Sequence, residues 1–180
     1  IYSTYLIDKA DFVASHQFKF IEKFNMVADL KQGGTFLLNS PYSKDEIWDK
    51  LSVEIQKEII QKEIKFYVID ASKVAQDAHL GKRANTVLQT CFFAISGILP
   101  KDEAIQKIKN AIVKSYSHKG EKVVNMNFNA VDKSLENLQL VDYPKVATSK
   151  KHLLSAMRNA PAGFVTDVLE KILGVFGDEL

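Results

Sequence analysis

Apolar positions along this chain fall into two rhythms: short unbroken runs, and longer stretches that repeat every three or four residues. The runs read as strands. Ala10–Ser15 is a short buried strand ending at His16, Thr35–Asn39 is apolar on both faces, and Lys65–Asp70 is of the same type. Strands that are apolar on both faces belong to parallel sheets covered by helices. Ile1–Ile7, β-branched and aromatic, adds an expected edge strand or docking segment. The spaced stretches read as helices. Phe18, Ile21, Phe24 and Asn25 form one, and Ser43 with Glu46 has capping-box spacing ahead of Ile47, Trp48 and Leu51. Further helices are expected over 53–61, over 71–78, and from the Leu80–Asn85 junction to about Gly97. Ile105, Ile108, Ile112 and Tyr116 mark another, and Glu121 to Leu140 carries Val124, Phe128, Val131, Leu135 and Leu138 on one side. Gln32-Gly33-Gly34 reads as a turn.

Strand–helix alternation followed by a helical layer predicts an α/β fold: a partial doubly wound, mainly parallel sheet with flanking helices. Only three strong strands are visible, where a doubly wound sheet has about five or six, so the pattern resembles the second half of one. Pro144 ends the compact part. Lys145–Lys151 is expected as a polar linker, and His152–Met157 with Phe164–Phe176 as a helical C-terminal extension. The domain division is therefore 1–143 and 144–180. The absent initiator Met makes the chain read as an excised piece.

Composition narrows the function classes. The 180 residues carry 24 Lys plus Arg against 22 Asp plus Glu, a net charge of +2. That balance points to neither nucleic acid nor an anionic membrane. No apolar run approaches the roughly 18 residues of a membrane span, and a cytoplasmic setting is expected. The single cysteine, Cys91, excludes an internal disulfide and cannot hold an iron–sulfur cluster.

Most candidate chemistry has a plain structural alternative. His16, at a strand's carboxyl end, is either a ligand contact or a hydrogen-bonded junction residue. Asp70 either orients a ligand or caps the following helix, the commoner role. Cys91 sits in an apolar helix with no base beside it and reads as structural. The four histidines show no metal-ligand spacing. Lys82, Arg83 and Asn85 are left, at a loop that opens a helix. They are either a solvated basic loop or an anion site, since free N–H groups and the dipole there favour negative charge.

Seven segments match a known family in order and spacing over roughly residues 1–143: Ser3–Leu6, Ala10–Ala14, Gly33–Pro41, Lys65–Ala71, Leu80–Asn85, Gln89–Phe93 and Gly97–Pro100. Together they resemble pyruvate:ferredoxin (flavodoxin) oxidoreductase, within the third, CoA-contacting domain of its long chain. The resemblance implies oxidative decarboxylation of pyruvate with coenzyme A to acetyl-CoA and carbon dioxide, with electrons passing to ferredoxin or flavodoxin. It implies thiamine diphosphate, magnesium and 4Fe-4S clusters elsewhere in the parent enzyme. The partners it implies are the remaining domains, the electron acceptor, and a second copy in a homodimer.

Two CoA contacts of the family carry over by position. One falls on Asn85, in Gly81-Lys82-Arg83-Ala84-Asn85. The other falls on Asn127, with Asn125 and Asn129 as close alternatives in the same helix. Ser15 departs from the family, where related chains often carry cysteine, and the glycine-rich loop that opens the family's third domain is missing. On this reading the chain contributes to CoA binding and has no catalytic residue of its own. The alternatives are a separate γ-type subunit acting on another 2-oxoacid, or a non-catalytic α/β interaction module.

Overall fold

The computed structural model describes residues 9–154. Expectations for Ile1–Ile7 and for the helix at Phe164–Phe176 lie outside that range. A four-stranded sheet forms the centre, in the order β1-β2-β3-β4: β1 is Ala10–Ser15, β2 Leu30–Asn39, β3 Lys65–Ile69 and β4 Gln139–Leu140. β1, β2 and β3 are parallel, and the two-residue β4 lies antiparallel to β3. Among the described residues five α-helices accompany it: α1 Val53–Gln61, α2 Ala71–Asp77, α3 Asn85–Ile95, α4 Lys101–Tyr116 and α5 Glu121–Asn137. The mainly parallel α/β sheet expected from the apolar runs is the observed one.

Strand alternation splits the core into two layers. Register pairs Phe36 with Phe66 and Leu38 with Val68, so these four point to one face. They pack there against Ile55 and Ile59 of α1 and against Ile21, Ile47, Trp48 and Leu51. Leu37 and Ile69 point the other way, onto Val74 of α2, Val87, Leu88 and Cys91 of α3, and Ala130 of α5. A third layer joins α4 to α5 through Ile108, Ile112, Val124 and Val131. Burying both faces is why these strands carry no polar stripe.

Four local expectations change. Gln32–Gly34 is not a turn between elements but an irregularity inside β2. From Ala10 to Phe12 on β1, the partner residue moves from Leu30 to Thr35 on β2, so the longer strand bulges. Gly33 takes φ +69° there and donates its N–H to the Lys62 carbonyl at 2.7 Å. A Cβ on Gly34 would lie 2.9 Å from the Lys31 carbonyl. Both glycines are needed, for bulge geometry instead of chain reversal.

The helix expected after Ser43 is one turn followed by a 3₁₀ turn at Trp48–Lys50. Half of the capping box forms: the Glu46 carboxylate accepts from the Ser43 N–H at 3.1 Å and hydroxyl at 2.7 Å. Those bonds hold its pKa below the usual carboxylate range. Ser52 starts the real helix, its Oγ accepting from the Ile55 N–H at 3.4 Å. Only Phe18–Phe20 of the first expected helix forms, as a single 3₁₀ turn. The helix expected over Glu121–Leu140 ends at Asn137, and Gln139–Leu140 turns into the open edge of β3.

Residues 144–154 have no regular secondary structure, yet they are fastened to the body of the fold. The buried Gln56 side chain accepts from the Thr148 and Ser149 N–H groups at 2.8 and 2.9 Å and donates to the Trp48 carbonyl at 2.8 Å. The Val53 N–H donates to the Lys151 carbonyl, the Leu154 N–H to that of Glu22. The stretch expected as a linker is a strap. Its anchor continues into Tyr143, which stacks on Trp48 at 5.2 Å and donates to the Ile64 carbonyl at 2.8 Å.

Candidate functional site

α2 is capped by Asp70, whose carboxylate accepts from the Lys73 N–H at 2.9 Å, so the capping reading of this residue holds. The carboxyl edge of the sheet is tied together by Asn39. Its amide donates to the His16 carbonyl at 2.9 Å and accepts from the Ala71 N–H at 3.0 Å, linking the ends of β1 and β3 through β2. His16 itself is exposed, and its backbone is the part engaged.

The turn into α3 uses two left-handed residues, His79 at φ 61° and Gly81 at φ 62°. Leu80, buried between them, anchors the turn in the second core layer. Lys82 and Arg83 stand exposed, and Asn85 is the first helical residue, also exposed. The residue before it, Ala84, offers no side-chain cap, and the first turn holds no acid. α3 therefore presents uncapped N–H groups beside two cations, an electrostatic setting suited to an anion.

Asn127 approaches the same place from α5. Of the three asparagines at 125, 127 and 129, it alone is buried, at 3 % exposure. Its Nδ2 donates to the Val123 carbonyl at 2.8 Å, and its Oδ1 accepts from the Thr86 hydroxyl at 3.4 Å. Thr86 is the neighbour of Asn85, so the two expected residues converge on the start of α3, one in solvent and one in the helix interface. The 3.4 Å bond is long for a hydroxyl donor, and it leaves Asn127 with hydrogen-bonding capacity to spare.

Thr86 also opens onto a groove of about 530 Å³ between α3 and α4. α3 contributes Thr86, Gln89 and Phe93, and α4 contributes Lys107, Ser115 and Tyr116 among others. Gln89 was read only as part of a matching segment. Its signal lies in the spacing of Thr86, Gln89 and Phe93, which share one face at i, i+3 and i+7. Cys91 is fully buried, and burial pushes its thiol up to about 12, so it stays protonated and unreactive at neutral pH. Among the described residues no group of three or more His, Cys, Asp or Glu side chains comes together to hold a metal.

The fold is a mainly parallel α/β sheet flanked by helices, with the start of α3 following its third strand and helix α2. Residues 1–137 match the family model described as pyruvate ferredoxin/flavodoxin oxidoreductase, and the chain belongs to that family. A pyruvate-flavodoxin oxidoreductase of Trichormus variabilis is 49% identical over 184 residues, covering 100% of this chain and 16% of its own length. A pyruvate:ferredoxin oxidoreductase of Moorella thermoacetica is 43% identical over 180 residues, covering 100% of this chain and 15% of its own length. The chain thus spans under a fifth of the length of these curated relatives. The crystal structure of pyruvate oxidoreductase subunit PORC from Thermotoga maritima superposes with a TM-score of 0.57 at 19% identity, covering 76% of this chain and 67% of that one. That likeness concerns the fold.

Proposed function

We propose that this chain is the CoA-contacting part of a pyruvate oxidoreductase, working within a larger enzyme that decarboxylates pyruvate oxidatively and forms acetyl-CoA. The observation that carries the reading is that exposed Asn85 lies at the uncapped, cation-flanked start of α3 while buried Asn127 hydrogen-bonds Thr86 beside it. Asn85 offers an exposed amide, and Asn127 fixes its neighbour Thr86. Lys82 and Arg83 supply charge for a pyrophosphate. The 4Fe-4S clusters of such an enzyme belong to its other parts, because one buried cysteine cannot ligate a cluster, and its thiamine diphosphate and magnesium are assigned to those parts with them. When bound there, they supply carbanion and electron-transfer chemistry. The role of this chain is to bind and orient CoA. Its partners are those other parts, a ferredoxin or flavodoxin, and a second copy in a homodimer.

The test is calorimetric titration of the full-length enzyme with CoA after Asn85→Ala and Asn127→Ala. Each variant should weaken CoA by about 3- to 10-fold, the range of one lost hydrogen bond, and leave the KM for pyruvate unchanged. Unchanged CoA affinity in both variants overturns the assignment.

A further inference from the structure

The 144–154 strap borders a cavity of about 480 Å³, a volume in the range of small-molecule pockets. Lys151, His152 and Leu154 of the strap line it together with Phe18, Tyr42 and Lys50 of the body. Phe18, Ile21 and Tyr42 pack in the core layer shared with α1, whereas α3 packs on the opposite face of the sheet. The CoA reading therefore does not account for this cavity.

Its lining joins an apolar floor to positive charge that is held in place without being neutralised. Phe18, Ile21 and Leu154 give the floor, and Lys50, Lys151 and His152 stand against one acid of the lining, Glu22. His152 is engaged by Glu54 at 2.7 Å. Among the described residues no carboxylate lies within 4.0 Å of the Lys50 or Lys151 ammonium. Lys151 instead donates to the Asp49 carbonyl at 3.0 Å, which leaves it N–H groups to spare. Lys50 rests over the Tyr42 ring at 4.9 Å, and that ring meets Phe18 edge-on at 5.2 Å. The neighbouring acids are bonded elsewhere, Glu46 to Ser43 and Glu54 to His152 and Leu153.

Two ammonium groups beside an apolar floor suit a molecule with a negative head and an apolar body. With His152 balanced by Glu54, two lysines against Glu22 leave a single positive charge, which a monoanion neutralises and a phosphate dianion exceeds. We propose that this cavity is a binding site for a small organic carboxylate, and that its occupant locks the strap. The head meets Lys50 from the body and Lys151 from the strap, and the apolar part displaces water from Phe18, Ile21 and Leu154. Locking follows from the walls. The Leu154 N–H donates to the Glu22 carbonyl across the cavity rim, so opening the strap dismantles the site. A ligand that binds only the closed form holds it closed.

The test uses the full-length enzyme and two probes of similar shape, benzoate and benzyl alcohol, the second without charge. At about ten times its Kd, benzoate should slow hydrogen exchange at the Thr148, Ser149 and Leu154 amides about tenfold, and benzyl alcohol far less. Lys50→Met and Lys151→Met keep the length of the side chain and remove its charge. Each should weaken benzoate by about tenfold or more, the loss of a charge-assisted bond. Unchanged strap exchange at about 50 mM benzoate, above the millimolar Kd within reach of a fragment this small, overturns the proposal. Normal benzoate affinity in Lys50→Met, or equal protection by benzyl alcohol, overturns it as well.

Discussion

Replacing Gln56 with alanine should release the 144–154 strap while leaving the sheet intact. Gln56 is fully buried, and its amide serves three backbone groups: the Trp48 carbonyl and the Thr148 and Ser149 N–H groups. Truncation removes all three bonds at once. Left buried and unpaired, each group would cost about 1–3 kcal/mol. The strap limits that cost by peeling away, which hydrates the amides of Thr148 and Ser149 and leaves mainly the Trp48 carbonyl unserved. The closed strap loses its two bonds from Thr148 and Ser149, about 0.5–1.5 kcal/mol each, so its opening equilibrium should rise by about 1–3 kcal/mol, roughly 5- to 150-fold. Native-state hydrogen exchange reads this directly. The Thr148 and Ser149 amides should exchange faster by that factor, whereas Phe36 and Val68 amides in the central strands should change far less. Gln56→Glu sharpens the test. Its carboxylate still accepts from both N–H groups but opposes the Trp48 carbonyl unless protonated, so its strap should be held better at acidic pH than at neutral pH. Unchanged protection at Thr148 and Ser149 in Gln56→Ala refutes the argument that this one amide fastens the strap.

Two further outcomes follow from the same packing. Burial alone would raise the Glu54 pKa, but hydrogen bonds from His152, at 2.7 Å, and from the Leu153 N–H, at 3.2 Å, outweigh it and leave the pKa lowered. A depressed folded-state pKa contributes stability above the unfolded value and loses it as pH falls through the folded one. Strap protection at Leu153 should therefore decline on acidification below about pH 4.5, and Glu54→Gln should flatten that decline; a pH-independent profile in the parent protein contradicts it. Cys91, buried with its thiol pushed up to about 12, should resist a thiol reagent in the folded protein at pH 8 and react at an ordinary rate once unfolded by urea. Rapid labelling of the folded protein would place the thiol at the surface.

Much of the fold is legible in the chain because its determinants are local. Phe36, Leu37 and Leu38, or Tyr67, Val68 and Ile69, can be apolar in succession only if both faces of the strand are covered, and that condition alone predicts a parallel sheet between helices. Asp70 caps α2 through a bond three residues away, within reach of any reading of short-range spacing. The turn into α3 and the helical face of Val124 and Val131 are of the same kind.

What the tertiary structure decided depends on residues far apart in sequence. Gln139–Leu140 continue an apolar helical rhythm, but the open edge of β3 offers backbone hydrogen bonds at that point and converts them to strand. Three asparagines at 125, 127 and 129 are equivalent as letters. Only the packing of α5 against α3 selects Asn127, because a helix turns one of the three toward its neighbour and the others toward solvent. Lys145–Lys151 is polar enough to pass for a linker. It becomes a strap because Gln56, about ninety residues earlier, can meet its backbone only after the core has closed. The groove beside Thr86 has the same origin, since neither α3 nor α4 has a cavity until the two helices pack together.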